Sequence, residues 1–428
     1  MNTNRNFLKK LLVFFNIFII LNYTFSSFTV KAANEPTGLS SKGAAVMDAT
    51  TGQLLFSLNP DTKYFPASTT KILTALVVLE NTKLDDKVTV GKKPPFVDGT
   101  AIGLKEGEIF TVEELLLGLL MESGNDCAEA LAEHVSGSNE EFAKLMNERA
   151  KKIGTTNSNF KNPSGLPDPE HYTTPRDLAL IMREAIKNPE FIKLCRTDSL
   201  QMSPSNLDGT RRWLNNHNSI INPKSSEYYY KYAVASKKGY TTEAHFTNVM
   251  SAEKDGHTII ASCLDGETIG PVYSDTTKIC DYAFNNFTFE KLYSEGDKVG
   301  SYRIDDETEI PLVIDKDVFY TIPNTEKDKL NVSVDYEIPD DIQNKQINIG
   351  DVITSGKVIV NGTEISNVDL KSGIDREATT PVKINNFFNK YDLQIKVIVT
   401  LIILSLIIFL LVKRKKFSKR KNINKLKF

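Results

Sequence analysis

The sequence predicts an α/β (α+β) fold: an antiparallel sheet with an inserted helical region, then a small all-β domain and a C-terminal transmembrane helix. Three observations carry this reading. Strand-like segments stand at both ends of residues 38–285 with helical patterns between them, as when one sheet is assembled from N- and C-terminal strands. Residues 287–372 change to short alternating strands broken by turn signals such as Asn361-Gly362. Residues 393–412 are apolar almost throughout and run straight into Lys413-Arg414-Lys415-Lys416.

Taken in order, the first element lies outside the fold. Arg5, Lys9 and Lys10 precede an apolar run at 11–21 and a small-residue site around Val30-Lys31-Ala32-Ala33, so residues 1–33 are expected to be a secretory signal peptide. Residues 43–49 and 53–58 are apolar runs around Thr50-Thr51-Gly52, which reads as a β-hairpin. Thr111 with Glu114 forms a capping box ahead of residues 115–121, and Ser138 with Glu141 forms another ahead of 142–152, with Gly154 as its stop. Pro175 after Thr174 takes the first position of a third helix. Strands return at 232–236, 245–252 and 257–264. After the all-β region, residues 373–392 read as a polar linker, 393–412 as a membrane span and 413–428 as a basic tail. By the positive-inside rule the tail is cytoplasmic, which makes a single-pass membrane protein with both domains on the outer face.

Composition narrows the function. A formal net charge of −2 gives no sign of nucleic-acid binding. The cysteines Cys127, Cys195, Cys263 and Cys280 include no C-x-x-C pair, and the five histidines form no ligand pattern. Neither a metal site nor a disulfide framework is indicated, and buried free thiols are expected.

Chemistry is suggested at three places. Pro66-Ala67-Ser68-Thr69-Thr70-Lys71 opens an apolar run, so Ser68 is expected in the first turn of a buried helix with Lys71 on the same face. A serine hydroxyl needs a base to become a nucleophile, and a desolvated lysine can be neutral enough to serve. Ser123-Gly124-Asn125-Asp126 interrupts two helical patterns with a turn, where Ser123 can relay a proton and Asn125 can hold a substrate carbonyl or Lys71. Lys237-Lys238-Gly239 lies on a late strand ahead of Tyr240-Thr241; lysine supplies positive charge, and glycine permits close backbone approach.

Three elements in this order resemble the S-x-x-K, S-x-N and K-T-G signature of the penicillin-binding protein and serine β-lactamase superfamily. Ala45 to Gly52, Phe65 to Lys71, Asn162-Pro163-Ser164-Gly165-Leu166 and Tyr172 to Asp177 resemble low-molecular-mass D-alanyl-D-alanine carboxypeptidases within it. The resemblance, spanning about residues 38–370, implies a β-lactamase/transpeptidase-like catalytic domain that removes the terminal D-alanine from peptidoglycan stem peptides and is inhibited covalently by β-lactam antibiotics. It implies that Ser68 forms an acyl-enzyme, Lys71 is its base and Ser123 passes a proton to the leaving amine. Asn125, Lys237, Lys238, Gly239 and Thr241 would bind substrate, with backbone N–H groups at Ser68 and near Thr241 as the oxyanion hole. Lys238 departs from the family pattern, which has a hydroxyl residue there. Two other functions share these motifs, a β-lactamase and a wall-binding or penicillin-sensing protein without catalysis.

Overall fold

The structure, a computed structural model, describes residues 35–223, 227–303, 309–339, 342, 345–377 and 390–424. The proposed signal peptide and most of the proposed linker lie outside the described residues. The chain divides into two compact units. One holds residues up to Glu290 together with Phe319–Lys329, and the other holds Lys291–Val318 and the chain from Leu330.

The first unit is built on a hairpin, β1 (Gly43–Asp48) and β2 (Leu54–Leu58), whose turn contains Gly52 at a positive φ. Lys71–Asn81 then forms helix α1. A short ribbon of β3 (Lys87–Thr89) and β4 (Ile109–Thr111) leads to helices α2 (Val112–Met121), α3 (Asn125–Ser136), α4 (Asn139–Ile153), α5 (Pro175–Ala185) and α6 (Pro189–Arg196). A second ribbon, β5 (Ser199–Gln201) with β6 (Trp213–Asn215), precedes three long strands. These are β7 (Ala233–Thr241), β8 (His245–Lys254) and β9 (His257–Gly266), and helix α7 (Ile269–Asn286) closes the series.

The five main strands form one antiparallel sheet in the order β2-β1-β9-β8-β7. Burial on both faces explains why β1 is apolar without alternation. Ala45 and Met47 belong to the core packed with the helical insertion, while Ala44 and Val46 belong to the core beneath α7. The strand at the far end, β7, is an edge, and it carries Lys237 to Thr241.

Helix starts follow their caps. The Thr111–Glu114 box is complete in both directions, and Thr174 caps α5 with Pro175 at its first position. The box expected at Ser138 is only half made. Ser138 accepts from the Glu141 N–H, but the Glu141 carboxylate pairs with Lys144. Gly154 ends α4 at φ 101°, as a left-handed cap requires. Two helices were not expected, α6 and α7. The latter has Gly270 in its first turn and is otherwise rich in β-branched and aromatic residues, which lowers intrinsic helix propensity. Packing of Val272, Thr276, Ile279, Cys280 and Ala283 against the sheet overrides it.

Beyond the β10 (Phe287–Tyr293) and β13 (Val318–Pro323) ribbon, the second unit is a five-stranded antiparallel sheet. Its strands are β11 (Lys298–Arg303), β12 (Glu309–Ile314), β14 (Val332–Tyr336), β15 (Val352–Val360) and β16 (Thr363–Ser372), in the order β11-β12-β16-β15-β14. Ile310, Leu312, Val358 and Leu370 fill its core. Asn361 at φ 50° and Gly362 at φ 81° make the two-residue turn between β15 and β16, where both central positions need left-handed backbone. The last helix, α8 (Asp392–Asn424), has a largely apolar stretch at Asp392–Arg414 that contains an 18-residue window of mean hydropathy 3.1. That length and composition suffice to cross a bilayer.

Candidate active site

Ser68 stands in a 3-10 turn, Ala67–Thr70, that runs directly into α1. Ala67 is left-handed at φ 51°, a conformation that costs a non-glycine residue about 1–2 kcal/mol. Its surroundings hold it there. The Thr69 and Thr247 hydroxyls both donate to the Pro66 carbonyl, at 2.7 and 3.0 Å. Gly165 packs so tightly that a Cβ at its position would overlap the Ala67 carbonyl. The strain therefore sits beside the candidate nucleophile and is maintained by neighbouring segments.

Lys71, the first residue of α1, is fully buried. Its amine donates to Ser68 Oγ at 2.9 Å, Asn125 Oδ1 at 2.7 Å and the Ser164 carbonyl at 2.7 Å. The Asn125 amide is oriented from behind, because its Nδ2 donates to the Asp98 carbonyl at 2.6 Å and so turns Oδ1 toward the lysine. Burial, and then the charge of Lys237, hold the Lys71 amine well below the usual lysine range. Two of its three partners can only accept. Once neutral, the amine must spend both hydrogens on Asn125 and Ser164, and its lone pair is left facing the one partner that can donate, Ser68 O–H.

Ser123 occupies the turn between α2 and α3 at φ 62°. Its hydroxyl accepts from Lys237 Nζ at 3.0 Å. Lys237 is buried and also donates to the Lys238 carbonyl, and burial together with the Lys238 charge lowers it to about 7. Lys238 lies on the other face of β7, where its amine donates to the His217 carbonyl at 2.9 Å. Gly239 abuts the nucleophile turn: a Cβ there would stand 2.7 Å from Ser68 N and 2.6 Å from Thr247 Oγ1. The Thr241 hydroxyl accepts from Ala244 N–H inside the β7–β8 turn. A cleft of about 320 Å³ brings Ser68, Ser123, Lys237, Lys238 and Gly239 together.

Several residues at the site received no role from the sequence. Asn162 Oδ1 accepts from the N–H groups of Ser164, Gly165 and Leu166, and this folds the loop that aims the Ser164 carbonyl at Lys71. An Asn-Pro-Ser-Gly turn is the signal that could have found it. His171 accepts the Lys161 N–H at Nδ1, which leaves Nε2–H to donate to Thr70 Oγ1 at 2.9 Å. Burial lowers this imidazole to about 4, so it is neutral at working pH. Asp126 holds the adjacent loop through the N–H groups of Ile102 and Leu104. Among the described residues, no group of three or more His, Cys, Asp or Glu side chains is gathered as a metal would need.

A helix-flanked antiparallel sheet, a serine at a helix start and a buried lysine against its hydroxyl define a class, the serine–lysine acyl-transfer hydrolases. Comparison with known proteins gives the family. Residues 29–268 match the family described as D-alanyl-D-alanine carboxypeptidase, and residues 287–378 match the penicillin-binding protein 5 C-terminal domain. The chain belongs to the D-alanyl-D-alanine carboxypeptidase family. It is 33% identical over 295 residues to the carboxypeptidase DacF of Bacillus subtilis, covering 67% of this chain and 73% of that protein. To DacA of Haemophilus influenzae it is 29% identical over 368 residues, covering 81% and 89%. Among solved structures, penicillin-binding protein 5 from Haemophilus influenzae superposes with a TM-score of 0.67 at 27% identity, covering 80% of this chain and 98% of that one.

Gly239→Ala tests the packing at the nucleophile. The added methyl displaces either the Ser68 turn or Thr247, and small misplacements of a reacting group cost on the order of 10²-fold in rate. Covalent labelling by a fluorescent penicillin should fall by about that factor, while far-ultraviolet circular dichroism stays that of wild type.

Proposed function

We propose that this chain is a serine-type carboxypeptidase that removes the terminal D-alanine from peptidoglycan stem peptides through an acyl-enzyme on Ser68. The observation that carries the reading is the set of three contacts at the Lys71 amine, two of which leave its lone pair for the Ser68 proton. In this mechanism neutral Lys71 takes the hydroxyl proton as Ser68 Oγ attacks the carbonyl of the penultimate residue. The oxyanion that forms is stabilised by the Ser68 N–H and a second N–H on β7 near Thr241. Collapse expels D-alanine, whose amine takes a proton through Ser123, and water then hydrolyses the ester. Asn125 acts by holding Lys71. Lys237, joined to Ser123, receives the terminal carboxylate, Gly239 lets the strand approach the nucleophile, and Lys238 adds charge on the adjacent face. No cofactor enters these steps. A β-lactam presents a strained analogue of the same peptide bond, so its acyl-enzyme with Ser68 persists.

The same reading sets the topology. Residues 1–33 direct export, 38–285 form the catalytic domain and 287–372 a small β-rich domain. Residues 373–392 link to a membrane span at 393–412, and 413–428 are cytoplasmic. The apolar stretch of α8 supports this. A chain ending before Leu393 should be released as soluble protein that still reacts with penicillin; recovery of that protein in the membrane pellet would refute the single-anchor arrangement.

Ser68→Ala should abolish labelling by a fluorescent penicillin. Lys71→Ala should slow it by about 10² to 10⁴, the usual contribution of a positioned base. Labelling that survives Ser68→Ala would end the assignment.

The state of Lys237 predicts a pH response. Its amine, lowered to about 7, is charged below that pH and neutral above it, so attraction for the substrate carboxylate is lost as pH rises. For a D-alanyl-D-alanine peptide, kcat/KM should therefore decline on the alkaline side from near 7. Lys237→Arg keeps its charge throughout this range and should flatten that limb. An alkaline limb unmoved by the substitution would assign it to another group.

A further inference from the structure

The free side of β7 borders the cleft, and positions on it can be read as distances from the nucleophile. Gly239 marks Ser68, whose backbone N lies beside it. Lys237, on one side of that mark, ends at Ser123. Tyr240 lies past the mark in the other direction, its side chain on the face of β7 that carries Lys238 rather than the one that carries Lys237, and it lines the same cleft. At about 3.3 Å per residue, a substrate with its terminal carboxylate at Lys237 and its scissile carbonyl at Ser68 carries the preceding group toward Tyr240.

Tyr240 is suited to meet that group. Its side chain is 55% exposed, yet the ring rests on Phe246 with centroids 4.5 Å apart and planes 35° from each other. Phe246 stands directly opposite on β8, and Ile269 at the start of α7 completes the apolar wall. A ring backed in this way is held with little further loss of rotamer freedom, so an apolar ligand group covers it at small entropic cost. Leu120 and Met121 also line the cleft, and Tyr240 with Phe246 is the part of the lining that offers a phenyl-type ring face to an apolar substituent.

We propose that Tyr240, backed by Phe246, is a specificity-determining residue that receives an apolar group on the acyl side of the scissile bond. In a peptide that group is the methylene stem of a long side chain preceding D-alanyl-D-alanine, and in a penicillin it is the aryl side chain. The inference rests on the Ser68 acyl-enzyme reading.

The test uses the full chain in detergent and two ligand pairs. Acylation rate constants are measured for benzylpenicillin and 6-aminopenicillanic acid, which lacks the phenylacetyl group. The second measurement compares kcat/KM for diacetyl-lysyl-D-alanyl-D-alanine and acetyl-glycyl-D-alanyl-D-alanine. Wild type, Tyr240→Ala and Tyr240→Phe are compared by the ratio within each pair. Tyr240→Ala should lower the ratio by about fivefold to tenfold, the range expected for losing one aromatic contact, and Tyr240→Phe should retain it. The pair in which the ratio falls tells the aryl group from the methylene stem. A ratio unchanged in both pairs overturns the proposal, and so does an equal loss for both members of each pair. If neither penicillin acylates Ser68 in wild type, the acyl-enzyme reading falls and takes this inference with it.

Discussion

A single buried amine organises the centre of this protein. Among the described residues, the Lys71 amine bonds directly to no carboxylate, only to two oxygens that accept and one hydroxyl that can also donate. Removing an ammonium from water without a counter-ion is costly enough that the group lowers its pKa instead. The fold therefore obtains a base chiefly by withholding solvent, against the smaller opposing pull of the Asp126 carboxylate. Each partner is in turn fixed from behind, Asn125 by the Asp98 carbonyl and the Ser164 carbonyl by the Asn162 turn. The neighbouring Lys237 adds to the effect, since its positive charge favours the neutral state of Lys71.

The second requirement is closeness. The nucleophile turn is squeezed between β7 and the 162–166 loop, and a glycine stands at each contact. Gly239 makes room for the Ser68 N–H, and Gly165 makes room for the Ala67 carbonyl. Side chains at either place would push the turn out of its left-handed geometry. Ala67 keeps its unfavourable backbone because contacts on both sides over-determine it.

Much of this was legible in the sequence, and the reasons for what was not are physical. The hairpin, the Thr111 and Thr174 caps and the all-β second unit follow from local chemistry that the final structure keeps. Ser68 and Lys71 share a helix face, so their contact could be inferred from spacing alone. Helix α7 was missed because its stability comes from the sheet it covers and its own composition disfavours it. The Ser164 carbonyl was missed for a related reason, since a backbone oxygen has no sequence identity. Lys238 is the instructive case. Alternation along a strand separates it from Lys237, but no local rule could reveal that its amine would reach the His217 carbonyl of another loop.

The order of strands in the main sheet has a consequence for how the molecule comes into being. Strand β1 pairs with β9, so Gly43 finds Leu264 across the whole helical insertion. Loop closure over such a separation is slow relative to local helix and hairpin formation. Without β9 and β7 the hairpin has an open edge, and the turn bearing Ser68 lacks the strand that supplies Gly239. Reactivity at the serine thus requires that the two distant halves of the chain have met.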